Sequence, residues 1–269
     1  MSDDAINSQA PVPQDPWAAL KRFTAARIGL GRAGASIPTR ELLAFQLAHA
    51  QARDAVHAPL DFKSLAAELS ILNLPTLTLR SEVAGRDEYL RRPDLGRRLG
   101  EDSRASLQDA AIAGGCDLAL VITDGLSANA IATNALPLLK AFIPSALSAG
   151  LRLGPLSIVS QGRVAVGDEI GFLLHARAVT VLIGERPGLT STDSLGIYLT
   201  YDPQPGLTDE RRNCISNVRP AGYPPDAAAQ KLLYLITESM RLQLSGVELK
   251  DEMPEPPPAI PSKASQSIQ

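Results

Sequence analysis

The sequence predicts an α/β fold, with a mostly parallel sheet carrying helices on both faces and an N-terminal helical region ahead of it. Short apolar runs rich in β-branched and aromatic residues lie at 118–122 (LALVI), 156–159 (LSIV), 179–183 (VTVLI) and 195–201 (LGIYLTY). Runs of that length and composition read as buried strands. The first three alternate with segments of helical periodicity, which is how parallel strands joined by crossover helices appear in sequence. Each of these three runs also leads into a polar, glycine-bearing stretch: Thr123-Asp124-Gly125, Gln161-Gly162-Arg163 and Gly184-Glu185-Arg186. In an open α/β sheet, ligands bind in the crevice beyond the carboxyl ends of the strands, so the predicted sheet is Rossmann-like in this respect.

The elements follow in order. Residues 1–26 read as a flexible tail, polar and proline-bearing, with a short helix over 17–28 at its end. Residues 27–113 form a helical region expected to contact a partner. It opens on Gly29-Leu30-Gly31-Arg32-Ala33-Gly34, which matches GxGxxG by letter. A dinucleotide fingerprint needs a strand before the glycines and a helix directly after them. Here the preceding residues look helical, and the bland reading is a glycine-permitted loop with solvated arginines. Thr39 is the expected N-cap of a helix to about Val56, with Leu43, Leu47 and Ala50 on its apolar face and Pro59 beyond its end. His49 and His57 lack a third ligand nearby and read as surface residues. A second helix is expected over 61–71, then an extended piece over 72–79, weakened by Pro75.

Residues 80–104 carry seven arginines interleaved with six acids, a balance that indicates an ion-paired face or polar contact surface. A helix over 103–113 ends at Gly114-Gly115. The α/β domain then spans 114–247. Its helices are expected around 130–146, around 163–175 with a stripe of Val166, Ile170, Leu173 and Leu174, and from Pro225 on with a seam of Leu233, Ile236, Met240 and Leu244. Gly246 is the expected residue just past the last helix. Residues 248–269 are proline-rich and read as a disordered tail.

The chain has 269 residues and is 45% hydrophobic, enough for one α/β domain with a helical annex or for two small domains. A net charge of −3 gives no field that would draw it to nucleic acid or an anionic membrane. An aromatic content of 4% also argues against base stacking. Cys116 and Cys214 form no CxxC pair, which fits a reducing cytoplasm and supplies no metal framework. The N-terminus lacks an apolar signal segment, and no uninterrupted run of about 18 apolar residues is present. GxSxG, HExxH, Walker A and kinase patterns are all missing. A good crevice with a poor catalytic set suits a chain that holds a ligand while chemistry happens on another chain.

Six pieces, in this order, carry a family resemblance: RIGLGRAGASIPT (27–39), EYLRRPDLGRRL (88–99), DGLSA (124–128), QGRVAVGDEIG (161–171), IGERPGL (183–189) and CISN (214–217). Together they closely resemble the small subunit (light chain) of ethanolamine ammonia-lyase, over about residues 27–246. The resemblance implies a carbon–nitrogen lyase that uses adenosylcobalamin to turn ethanolamine into acetaldehyde and ammonia. It implies a hetero-oligomer in which a large subunit supplies the substrate pocket and this chain closes over the cofactor. It also implies Val164, Glu185 and Cys214 as cofactor-binding positions, with no catalytic residue and no metal ligand on this chain. The implied address is the cytoplasm, with a bacterial microcompartment as a further option. No histidine here has an Asp two residues before it, so the Asp-x-His-x-x-Gly motif that displaces the cofactor's own base is missing. The residues alone leave two rivals open: a free-standing nucleotide- or dinucleotide-binding oxidoreductase using residues 29–34, and a ligand-free scaffold. Without the family, Val164 reads equally as core and Cys214 as a small buried hydrophobe. Glu185 reads otherwise as an ion-pair partner of Arg186 or as a turn stabiliser.

Overall fold

The computed structural model describes residues 15–111 and 114–253. The predicted tails therefore fall largely outside the described residues, at 1–14 and 254–269. One six-stranded sheet forms the centre, in the order β1-β3-β2-β4-β5-β6. Its strands are β1 (Thr76–Arg80), β2 (Cys116–Thr123), β3 (Leu153–Ser160), β4 (Ala176–Gly184), β5 (Leu195–Tyr201) and β6 (Arg212–Val218).

The β1–β3, β3–β2 and β2–β4 pairs are parallel, as the alternation of strand and helix requires. The α/β class stands, but "mostly parallel" needs correction: β4–β5 and β5–β6 are antiparallel. The reason is the connection. A parallel return needs a crossover of a dozen or more residues, usually a helix. Residues 185–194 and 202–211 are too short and carry no α-helix, so the chain turns back on itself. β6 was not foreseen as a strand, and β1 begins directly after Pro75, where a proline is tolerated at a strand start on a sheet edge.

The helices are α1 (Thr39–His57), α2 (Phe62–Leu69), α3 (Arg86–Arg91), α4 (Glu101–Ala110), α5 (Ala128–Ser148), α6 (Val166–Leu173) and α7 (Pro225–Leu242). Two apolar clusters divide them between the faces of the sheet. Leu118, Leu120 and Ile122 of β2 pack with α2, α5 and α7, while Ala119 and Val121 pack with α4 and α6. Alternate side chains of one strand point to opposite faces, so a strand covered on both sides becomes a continuous apolar run. α5 is the one described helix long and apolar enough to cross a membrane, and it lies on the sheet beside α7 with ten of its residues buried.

Several local expectations shift. Residues 16–23 form a 3-10 turn rather than an α-helix, capped by Asp15 Oδ1, which accepts from the Trp17 N–H. Pro38, not Thr39, is the N-cap of α1. The predicted apolar face of α1 is not turned into this chain's core: Leu43 and Leu47 are 58% and 60% exposed, and Ala48 is the helix's one buried residue. The α6 stripe holds, with Val166, Ile170 and Leu174 buried. On α7 the buried seam runs through Ala228, Leu232, Leu235 and Ile236, and of the predicted set Leu233, Met240 and Leu244 sit at its margin. That helix ends in a left-handed residue, Gln243 (φ 57°), while Gly246 opens a separate 3-10 turn.

The amino end of the sheet is held by Asp117. Its Oδ2 accepts from the Arg152 backbone N–H at 2.9 Å and from Arg152 Nε at 3.2 Å, and Arg177 lies 3.5 Å from Oδ1. Burial pulls the carboxyl up, but the bonds from Arg152 and Arg177 outweigh it and leave the group below its usual value. A depressed folded-state pKa contributes stability above the unfolded value, about 3.9, and loses it as pH falls through the folded value. Asp117→Asn is expected to flatten the fall in melting temperature below about pH 4. An acid slope equal to the parent's would refute this role.

Candidate functional site

The parallel strands end together, and the loops after neighbouring β2 and β3 leave for opposite faces of the sheet, one to α5 and the other to α6. That divergence opens a crevice at the carboxyl edge. Side-chain bonds fix its floor. Asp124 accepts from the Gln161 N–H and from Gln161 Nε2, both at 2.8 Å, and Gly162 N–H donates to Thr123 Oγ1 at 3.0 Å. Arg86 braces this junction from below, donating to Gly125 O at 2.8 Å and Val56 O at 2.7 Å, with Asp124 Oδ2 at 3.5 Å. Burial pushes the Asp124 carboxyl up; Arg86 and the Gln161 N–H oppose the shift. Ser127 caps α5, accepting from the Ala130 N–H at 3.1 Å.

The β2 and β4 exits touch. Leu126 N–H donates to Gly184 O at 2.8 Å. A Cβ at Gly184 would stand 2.1 Å from Ser127 O and 2.5 Å from Asp124 O, so only a glycine lets the two loops meet. Directly after it comes Glu185. Its Oε2 accepts from the Ser194 hydroxyl and from the Asn217 N–H at 3.3 Å; its Oε1 accepts nothing among the described residues. The alternative ion pair with Arg186 does not form among them, whereas the bonds from Ser194 and Asn217 are those of a turn stabiliser. Gly196 makes room for the carboxylate, since a Cβ there would come within 3.0 Å of Oε1.

Val164, in the turn between β3 and α6, lies in the same cleft as Glu185. The cleft measures about 510 Å³ and is lined further by Arg97, Arg163, Ile183 and Tyr198. Cys214 is not on its wall. It sits on β6 in register with Tyr198 of β5, and lines a neighbouring hollow with Tyr223 and Lys231. The link is Tyr198. Cys214 is exposed, not the buried small hydrophobe that its type suggests; what burial its thiol has pushes it up, the neighbouring Tyr198 pulls the other way, and the charge of Glu185 raises it again. Burial, Cys214 and Glu185 likewise hold the Tyr198 hydroxyl far above its ordinary value. Two of the three expected positions therefore share one cleft, and the third stands one strand away, joined through a tyrosine that the sequence reading missed. Alternation along LGIYLTY could have put Tyr198 on the face of Val181; nothing in it marked that face as the cleft.

Residues 14–250 match a family model described as "Ethanolamine ammonia-lyase light chain (EutC)". The chain belongs to this family. It is 55% identical over 253 residues to the ethanolamine ammonia-lyase small subunit of Ralstonia nicotianae, covering 93% of this chain and 94% of that one. It is 56% identical over 249 residues to the small subunit of Azotobacter vinelandii, with 92% of each chain covered, and 54% identical to that of a Pseudomonas putida strain over the same length and coverage. The family match includes both walls of the cleft, from Arg97 to Tyr198, and Cys214 beside it. It also includes the glycines at 29–34. These follow a 3-10 turn and not a strand, and they reach α1 only at Thr39. Pyrophosphate would find no helix N-terminus there, so the dinucleotide reading fails on geometry.

Proposed function

We propose that this chain is the cofactor-holding subunit of an adenosylcobalamin-dependent ethanolamine ammonia-lyase, working against a large subunit that carries the substrate pocket. One observation carries the reading: Val164 and Glu185 share a cleft at the carboxyl edge of the parallel strands, and one Glu185 oxygen has no partner among the described residues. Its donor set suits a corrin. Amide N–H groups on the macrocycle's rim are neutral donors, and the free Oε1 is a charged acceptor beside the apolar walls of Val164, Ala165 and Ile183. A corrin with its nucleotide tail is far larger than about 510 Å³, so this chain supplies one wall and the partner the rest.

The bound cofactor supplies the radical chemistry. The task of this chain is to orient it and keep water out of the closed chamber. Cys214 and Tyr198 then border the cofactor from β6 and β5, with the thiol held protonated at neutral pH. Residues 114–247, joined at the cleft by Arg97, hold the corrin, and the rest of 27–113 faces the partner. The exposed apolar side chains of Leu42, Leu43, Phe45 and Leu47 on α1, with Trp17 and Phe23 before it, support that assignment. A stable contact of this kind needs more than about 1,000 Å² of buried area.

Glu185→Ala tests the reading. One charge-assisted hydrogen bond is lost, so the apparent cofactor KM is expected to rise about tenfold or more with subunit assembly intact. An unchanged KM would remove Glu185 from the site. A complex with the large subunit that binds no adenosylcobalamin by absorbance and releases no ammonia from ethanolamine would leave only the scaffold reading.

A further inference from the structure

The cleft contains three guanidiniums that no carboxylate neutralises. Arg97, Arg163 and Arg186 line it, and among the described residues none of them has an acidic partner. Their neighbours differ: Arg98 lies 3.6 Å and Arg104 3.1 Å from Glu82, and Arg212 is paired with Asp168. Two acids stand on the rim, Glu185 and Asp209. Glu185 accepts from Ser194 and Asn217, and Asp209 stands 3.4 Å from Arg212. Three arginines against these two acids, one of them shared with Arg212, leave the cleft with an excess of positive charge.

Arg163 is built into place. Its guanidinium lies 3.9 Å from the centroid of the fully buried Tyr89 ring, and one NH2 donates to Tyr89 O at 2.9 Å. Its stem runs over Gly96, where a Cβ would come within 2.9 Å of Arg163 Cγ. Its Nε is buried with no hydrogen-bond partner. Burial lowers its proton affinity, and the charges of Arg86, Arg186 and Arg97 lower it further against the opposing effect of Tyr89. Like charges gathered in a half-closed cleft stabilise a bound anion.

We infer that Arg97, Arg163 and Arg186 form an anion subsite that takes the phosphodiester of the cofactor's nucleotide tail, while Glu185 takes neutral amide donors of the corrin. This rests on the cobalamin reading above. The phosphodiester has two free oxygens for planar, forked donors, a geometry guanidinium matches better than a lysine ammonium does. The rim amides are neutral and do not need a positive partner.

The test uses the complex of this chain with its large subunit, titrated by equilibrium dialysis with adenosylcobalamin and with adenosylcobinamide. The second ligand keeps the corrin and adenosyl group but lacks the nucleotide and its phosphodiester. Arg163→Met, and separately the double variant Arg97→Gln/Arg186→Gln, are expected to weaken adenosylcobalamin about tenfold to a hundredfold and to leave adenosylcobinamide unchanged. Both residues of the double variant are exposed, so it is expected to fold as the parent does. Gly96→Ala, which displaces the Arg163 stem, is expected to act in the same direction. Equal weakening of the two ligands, or of neither, overturns the subsite and leaves the cobalamin reading standing. Loss of subunit assembly instead of cofactor affinity also overturns it, since the arginines would then serve the partner's surface. A parent complex that binds neither ligand removes the cobalamin reading, and the subsite with it.

Discussion

Arg212→Met is expected to lower folding stability by about 3–5 kcal/mol, the cost typical of removing one member of a buried ion pair. Arg212 and Asp168 are each only 2% exposed in their side chains and bond directly to one another. Arg212 also donates to Thr208 O and to Leu207 O at 3.2 Å, so one guanidinium ties α6 to the loop before β6. The pair is not fully satisfied: Asp168 Oδ1 and Arg212 Nε are buried without partners among the described residues. Removing the arginine leaves a carboxylate inside with nothing to neutralise it. Replacing both residues with apolar ones removes that penalty, so Asp168→Leu/Arg212→Met is expected to recover much of the loss. Urea midpoints for the two single variants and the double variant measure this. Additive losses would mean that the two charges act independently, contrary to the geometry.

Gly184→Ala is expected to damage stability and, on the cofactor-holding reading proposed above, cofactor affinity as well, although alanine adds one methyl group. The added carbon would fall on two backbone oxygens, Ser127 O at 2.1 Å and Asp124 O at 2.5 Å, neither of which is a flexible side chain that can swing aside. Overpacking of this kind costs about 1–3 kcal/mol. The relief available is to part the β2 and β4 exits, which breaks the Leu126 N–H to Gly184 O bond and moves Glu185, the next residue. Adenosylcobalamin affinity is therefore expected to fall about tenfold or more, more steeply than for a surface change of equal stability cost. A variant with the parent's melting temperature and cofactor KM would show that the two loops are not locked together.

Some of this site was legible in the chain itself. Val179-Thr180-Val181-Leu182-Ile183 read as a buried strand because both of its faces are covered, and the glycine-bearing turn after it put Glu185 at a carboxyl edge. The α6 stripe read correctly because Val166, Ile170 and Leu174 fall at i, i+4 and i+8, on one face over about two turns. What failed had a common cause. Leu43 and Leu47 have the spacing of a core face, yet periodicity records only that a face is apolar, not which chain covers it. The charge run at 80–104 does form the expected ion pairs, but the run alone does not say which arginines enter them. Arg98 and Arg104 are paired, Arg86 is a brace, and Arg97 faces the cleft beside Arg163, a sorting that depends on partners far away in sequence.

Local sequence determined the α/β alternation, the strands at the centre of the sheet and the polar exits at their carboxyl ends, because each follows from hydrophobic period and turn chemistry within a few residues. Tertiary structure alone decided that β5 and β6 return antiparallel, that Tyr198 stands between Cys214 and the Glu185 cleft, and that three arginines converge there with no ion pair to an acid among the described residues. Those are juxtapositions between segments up to about a hundred residues apart, set by sheet pairing and by which helix face is buried, and no window of local sequence contains them.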